Sequence, residues 1–112
     1  MKNKYGAPLD GAGYAPSIMQ FDPCSCYKCG SNGSVDKLDR HEVFSGPYRK
    51  KSKQLGLWVM LCHWKCHIFG EYAIHANQKE REELERAGQR AAMAYYHWTT
   101  EDFIREFGRN YL

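Results

Sequence analysis

Leu57-Trp58-Val59-Met60-Leu61 is an unbroken apolar run between Gly56 and a stretch crowded with cysteine and histidine. So short a run predicts a buried strand. Upstream, Val35 to Phe44 has strand-like composition, polar on one side through Asp36, Lys37, Asp39 and Arg40. Ser45-Gly46-Pro47 breaks the two apart, Pro47 suits the first turn of a short helix YRKKSKQL, and Gly56 suits its stop. Beyond His75 the period becomes helical. Asn77, with Glu80 three residues on, has the form of a helix start with a capping-box partner. Leu84, Ala87, Ala91, Ala94 or Tyr95, and Trp98 then recur at helical spacing, with charged residues between them.

Within that helix, Glu82–Arg86 is an i,i+4 pair worth ~0.3 kcal/mol. Gly88 costs about 1 kcal/mol relative to Ala, which predicts close packing there. Thr100 is expected to cap a last helix, with Glu101 and Asp102 near its positive end. Phe103, Ile104 and Phe107 form the apolar stripe of that helix, and Gly108 ends it. Residues 1–22 are rich in Gly, Pro and Tyr, show no periodicity, and are expected to form a mobile or loosely draped arm. The order of elements predicts an α+β domain over residues 23–112, with a strand-pair core at about 24–76 and two helices at about 78–108 covering it.

A chain of 112 residues supports one domain, and one this short is often helped by a disulfide or metal staple. No run could span a membrane and no apolar stretch suits a signal peptide, so a cytoplasmic setting with reduced thiols is expected. There the five cysteines point to metal rather than to disulfides. Cys26-x-x-Cys29 and Cys62-x-x-x-Cys66 are two thiolate pairs on tight turns, the donor set of a structural Zn²⁺. The second pair has one residue more than the commonest knuckle spacing. Cys24 is a spare thiol. A redox role for Cys26–Cys29 is disfavoured, because the pair lies in a Gly/Ser/Asn-rich turn and not on a thioredoxin-like strand-helix pattern.

If the zinc turns hold the elements together, His41 at the end of the first strand and His67 beside Cys66 reach the same end of the hairpin. His75 follows eight residues later. A second, open metal site of His41, His67 and His75 becomes reasonable. His63 and His97 have no matched role.

In order, "HEVFSG", "RKKSKQLGLWVMLC", "CH", a later His and the terminal "FGRNYL" resemble a group of small phage and prophage HNH-like proteins. These belong to the ββα-metal nuclease superfamily with an embedded zinc knuckle. The nuclease-type resemblance covers roughly Cys26 to His75 and the phage-group resemblance runs on to the C-terminus. It implies a zinc-stapled ββα-metal core, a phage or prophage origin, and DNA phosphodiester hydrolysis with a catalytic Mg²⁺, Mn²⁺ or another divalent ion. Residue by residue, His41 matches the first His of the motif, His67 the helix-borne ligand and His75 the late His. Glu42 falls where many members carry the general-base His. Either Glu42 is that base, or His41 is the base while Glu42 joins His67 and His75 on the ion. The middle Asn usual in the family is absent between Glu42 and Leu61.

Tyr48-Arg49-Lys50-Lys51-Ser52-Lys53 sets four cations on one short helix. Beside a phosphate-handling site, Arg49, Lys50, Lys51 and Lys53 are the candidate contacts to a DNA backbone. Arg105 and Arg109 could extend the patch. The net charge of +3 permits a polyanionic partner without requiring one. The alternative reading is a non-catalytic zinc module that contacts nucleic acid or a protein partner.

Overall fold

The computed structural model describes residues 1–112. Strands β1 (Leu38–Glu42) and β2 (Trp58–Cys62) pair antiparallel, with Leu38 opposite Cys62 and His41 opposite Val59. β1 is shorter than the stretch expected from composition, and β2 runs one residue later than the apolar run, into the first cysteine of the second pair. A single 3₁₀ turn at Gly46–Tyr48 leads into α1 (Arg49–Gln54) between the strands. A π-helical turn, His63–Ile68, follows β2. Two helices complete the chain, α2 (Gln78–Tyr96) and α3 (Thr100–Phe107). The result is a small α+β domain with a two-stranded sheet. No helix is long and apolar enough to cross a membrane.

β2 is buried on both faces because it is covered from two directions. The N-terminal segment lies along its free edge. The Ile18 amide donates to the Gly56 carbonyl (2.9 Å), the Met60 amide to Gln20 Oε1 (2.8 Å), and the Ser17 hydroxyl to the Trp58 carbonyl (2.7 Å). The Trp58 indole donates back to the Ala15 carbonyl at 2.7 Å. Backbone groups left open on an edge strand are thereby satisfied. The segment expected as a mobile or loosely draped arm is thus docked by hydrogen bonds that each have a backbone group on at least one side, and such bonds carry no hydrophobic period.

On the other side, α2 and α3 close over the chain just beyond β1. Phe44 is the hub, with ring centroids 4.7 Å from Phe107, 5.0 Å from Tyr111 and 5.4 Å from Phe103. Gly88 fits there because a Cβ on it would stand 2.9 Å from Val43 Cγ1 and 3.1 Å from Phe44. This contact sets the rotation of α2. Its buried positions are Leu84, Gly88, Gln89 and Ala92, one residue round from the expected Ala87–Ala91 stripe, and Tyr95 faces solvent. Gln89 is fully buried yet satisfied: its amide donates to Asn110 Oδ1 (2.8 Å), and its carbonyl accepts from the Tyr111 amide (2.7 Å).

The helix ends follow capping chemistry. Asn77 accepts from the Glu80 amide as expected, but the reciprocal bond of a capping box is not made, and the Glu80 carboxylate pairs with Lys28 instead. α3 is capped by Thr99 rather than Thr100, in a reciprocal box with Asp102. The difference is one residue: Asp102 sits at the third helical position only if the cap is Thr99. Gly108 ends α3 in the left-handed conformation. The Glu82–Arg86 pair is not made; both side chains line a cleft instead.

Candidate metal centres

The first centre is the cysteine quartet. Cys26, Cys29, Cys62 and Cys66 place their sulfurs within 4.8 Å of one another. Cys29 Sγ lies 3.5 Å from Cys62 Sγ, and Cys62 Sγ lies 3.7 Å from Cys26 Sγ. Zinc bonded to sulfur at about 2.3 Å in a tetrahedron spaces the sulfurs about 3.8 Å apart, so the quartet matches that geometry and all five thiols remain free of disulfides. The amides of Cys29 and Cys62 both point to Cys26 Sγ at 3.5 Å, the second layer of hydrogen bonds a thiolate ligand uses. Cys24 is exposed and stands outside the quartet.

The extra residue in Cys62-x-x-x-Cys66 is absorbed by the π-helical turn, whose wider winding accommodates one more residue per turn. The Asp36 carboxylate caps that turn, accepting from the amides of Trp64 and Lys65 at 3.0 Å each. The turn closes with the Phe69 and Gly70 amides on the Trp64 carbonyl, and Gly70 must be glycine because a Cβ would stand 1.9 Å from the Lys65 carbonyl oxygen. Burial pushes the Cys62 and Cys66 thiols up, whereas hydrogen bonds from Ser31 bring Cys29 down to about 6. Four sulfurs this close, three of them on buried cysteines, hold full thiolate charge only around a cation. These four cysteines could hold a structural ion such as zinc.

The second centre is built from histidines. His41, His67 and His75 each offer a ring nitrogen within 4.8 Å of the others. Two backbone hydrogen bonds zip the π-turn to the following loop: the Ile74 amide donates to the Cys66 carbonyl and the His75 amide to the His67 carbonyl, both at 2.9 Å. They bring His75 against His67, with ring centroids 4.7 Å apart. His41 comes from β1 and packs edge-on to both, at 5.2 and 5.3 Å. His41 is buried, His67 half-buried and His75 exposed, so the cluster has one side open to solvent. Burial, reinforced by the charges of His67 and His75, pushes His41 down to about 3, so its ring is neutral and keeps a lone pair at neutral pH. Burial also lowers His75, helped by His67 and Arg81.

Asp39 belongs to this centre and sequence reasoning passed over it. Its Oδ2 accepts from His67 Nδ1 at 2.9 Å and from His63 Nδ1 at 2.5 Å. Burial raises its carboxyl, but the two imidazoles more than offset that and hold it below the ordinary carboxylate value. His63, assigned no role from sequence, is therefore the second partner of Asp39. The signal was available: Asp39 and His41 are two apart on a strand, and such residues share a face.

The same alternation takes Glu42 away. Glu42 sits beside His41 in sequence but on the opposite face, outside the imidazole cluster. It is buried, and Arg49 Nε donates to its Oε1 at 2.7 Å. Burial raises its carboxyl, and the hydrogen bonds from Arg49 and Tyr14 outweigh that and lower it. The cations of α1 are also largely engaged. Arg49 holds Glu42, Lys51 donates to the Glu106 carbonyl (3.0 Å), and Lys53 lies 4.7 Å from the Tyr14 ring centroid. Lys50 alone of the four is exposed without such a partner.

Fold and sites together define a small α+β domain with a four-cysteine cluster and an open three-imidazole cluster. No family model, curated protein or solved structure matches the chain.

Proposed function

We propose that the chain is a ββα-metal, HNH-like domain that hydrolyses DNA phosphodiester bonds with a divalent ion, on a frame stapled by zinc. The observation that carries the reading is the convergence of His41, His67 and His75, residues distant in sequence, with ring nitrogens within 4.8 Å. Three imidazole nitrogens with one open side are the donor set of a site that keeps coordination positions for substrate. A Mg²⁺, Mn²⁺ or similar ion there would supply positive charge to a phosphoryl oxygen and to the developing charge of the leaving oxygen. The residues themselves do three things. Asp39 fixes the orientation of His67 through Nδ1, leaving Nε2 as the free donor. Burial keeps His41 unprotonated. The exposure of His75 leaves that side accessible to a bulky polyanion.

Plasmid nicking with Mg²⁺, Mn²⁺ or Ni²⁺, comparing wild type with His41→Ala and His67→Ala, tests the proposal. Nicking by wild type that is lost in both variants is expected; nicking that survives both substitutions removes the assignment.

A second reading, a non-catalytic zinc module on nucleic acid or a protein partner, is favoured by one observation. The residue at the family's general-base position, Glu42, is bound to Arg49 on the far face of β1. Absence of nicking with every metal, alongside retained DNA or protein binding, selects that reading.

A further inference from the structure

A polar cleft of about 310 Å³ opens between the first half of α2 and the C-terminal residues, with Arg81, Glu82, Glu85, Arg86, Arg109 and Tyr111 among its walls. Its three arginines form no ion pair, whereas Arg40, Arg49 and Arg105 are paired with Asp10, Glu42 and Asp102. Arg109 is braced over the Tyr111 ring, 4.6 Å from its centroid. Arg81 donates to the carbonyl of Ile74 at 3.4 Å, which sets its guanidinium beside the residue preceding His75. Arg81 therefore links this cleft to the loop that carries His75, whose pKa its charge lowers, while Arg109 and Tyr111 bring the C-terminus to the same hollow. Burial raises the Glu85 carboxyl, against the charges of Arg81, Arg109 and Arg86, which lower it.

Guanidinium groups are planar, weakly hydrated and matched to two phosphate oxygens at once, so three unpaired ones facing a common hollow favour phosphate over a compact ammonium-type contact. We propose that this cleft is a phosphate-binding subsite, in which Arg81, Arg86 and Arg109 hold the DNA backbone next to the phosphodiester presented to His41, His67 and His75. The inference rests on the DNA-handling reading above for its ligand, and not on hydrolysis. It moves the main backbone contact from α1, whose cations are mostly engaged, to α2 and the C-terminus.

The test uses the full chain and a short fluorescein-labelled DNA duplex, followed by anisotropy across a salt titration without added divalent ions. An Arg81→Gln/Arg86→Gln/Arg109→Gln variant is compared with wild type and with Arg90→Gln, which alters an exposed arginine of α2 outside the cleft. Each lost phosphate contact removes about 0.9 from the slope of log affinity against log salt. The triple variant should therefore show a slope shallower by roughly 2 to 3 and an affinity lower by at least about tenfold at low salt, while Arg90→Gln follows wild type. Should the triple variant misfold by thermal melting, Arg86→Gln and Arg109→Gln are measured singly, each expected to remove about 0.9 from the slope. Unchanged slopes, or a wild-type chain that does not bind the duplex, overturn the subsite. Nicking is scored separately. Arginine-dependent binding without nicking by wild type keeps the subsite and rejects hydrolysis; nicking lost in His67→Ala with binding unaltered by the arginines does the reverse.

Discussion

Asp39 Oδ2 accepts a hydrogen bond from His67 Nδ1 at 2.9 Å, and this fixes which nitrogen of His67 faces the other two imidazoles. A carboxylate behind a ligand histidine raises its basicity and fixes its tautomer, and loss of such a partner typically costs 10–100-fold in metal affinity. Asp39→Asn should therefore weaken binding of an exchangeable divalent ion by about that factor. The cysteine quartet, which Asp39 does not join, should keep its zinc. Calorimetric titration with Mn²⁺, paired with elemental analysis for zinc, reads the two centres independently. Equal loss at both would mean that Asp39 acts on the fold and not on His67.

The quartet supports a sharper expectation about folding. In a domain with so small a core, the ligand bonds of a structural ion contribute directly to folding free energy. The purified chain should carry one tightly held zinc, and Cys66→Ser should lose it together with cooperative unfolding. Cys24→Ser should change neither, because Cys24 is exposed and outside the cluster. Cobalt substitution gives a direct readout: a thiolate-to-cobalt charge-transfer band in wild type and Cys24→Ser that is absent from Cys66→Ser.

Glu42 offers a test of strand geometry against motif position. Because it faces Arg49 and not the imidazoles, Glu42→Gln should leave any nicking activity within about threefold of wild type. Its cost should appear in stability, about 1–2 kcal/mol for weakening a buried, charge-assisted hydrogen bond. Urea unfolding and nicking rates on the same preparation separate the two effects. A fall in rate of a hundredfold or more at unchanged stability would restore Glu42 to the chemistry.

What could be read from residues alone divides along physical lines. Cysteine spacing exposes a four-thiolate site because a tetrahedral ion demands paired donors on tight turns, and that demand is visible without coordinates. His41, His67 and His75 were legible only through their placement relative to those turns and a family resemblance. Asp39 and His63 escaped because each looks ordinary alone; only the strand's alternation and the π-turn bring them together. The same alternation, applied to adjacent residues, would have separated Glu42 from His41. The docking of residues 15–20 was hidden for a different reason: each of its hydrogen bonds has a backbone amide or carbonyl on at least one side, and apolar spacing carries no record of those groups. The rotation of α2 was set by a glycine, a residue that a search for apolar spacing passes over.

Gly88→Ala opposes two effects of known sign. Helix propensity favours alanine by about 1 kcal/mol. The new Cβ, however, would stand 2.9 Å from Val43 Cγ1 and within 3.2 Å of the Phe44 ring. Overpacking of this kind typically costs 1–3 kcal/mol. Phe44 is wedged among Phe103, Phe107 and Tyr111 and has little room to retreat. The net expectation is destabilisation by about 1 kcal/mol, seen as a lower urea midpoint with an unchanged slope. A variant more stable than wild type would mean that α2 slides away from Phe44 easily.

His41 makes stability depend on pH with a defined sign. Its folded-state value is pushed down to about 3 from the ordinary 6.5, first by burial and then by His67 and His75. Between those limits the unfolded chain binds a proton that the folded chain does not, so stability rises with pH across the window. The contribution is fully present above about pH 6.5 and is lost as pH falls towards 3. From pH 7 to pH 5, a range chosen to keep thiolate ligands on zinc, the loss attributable to His41 should be about 2 kcal/mol. Urea midpoints at the two pH values, without added divalent ions, read this directly. His41→Gln should be less stable than wild type at pH 7, but its midpoint should fall less steeply with acid, since the group that titrates only on unfolding has been removed. An equally steep acid loss in the variant would place the pH sensitivity elsewhere in the fold.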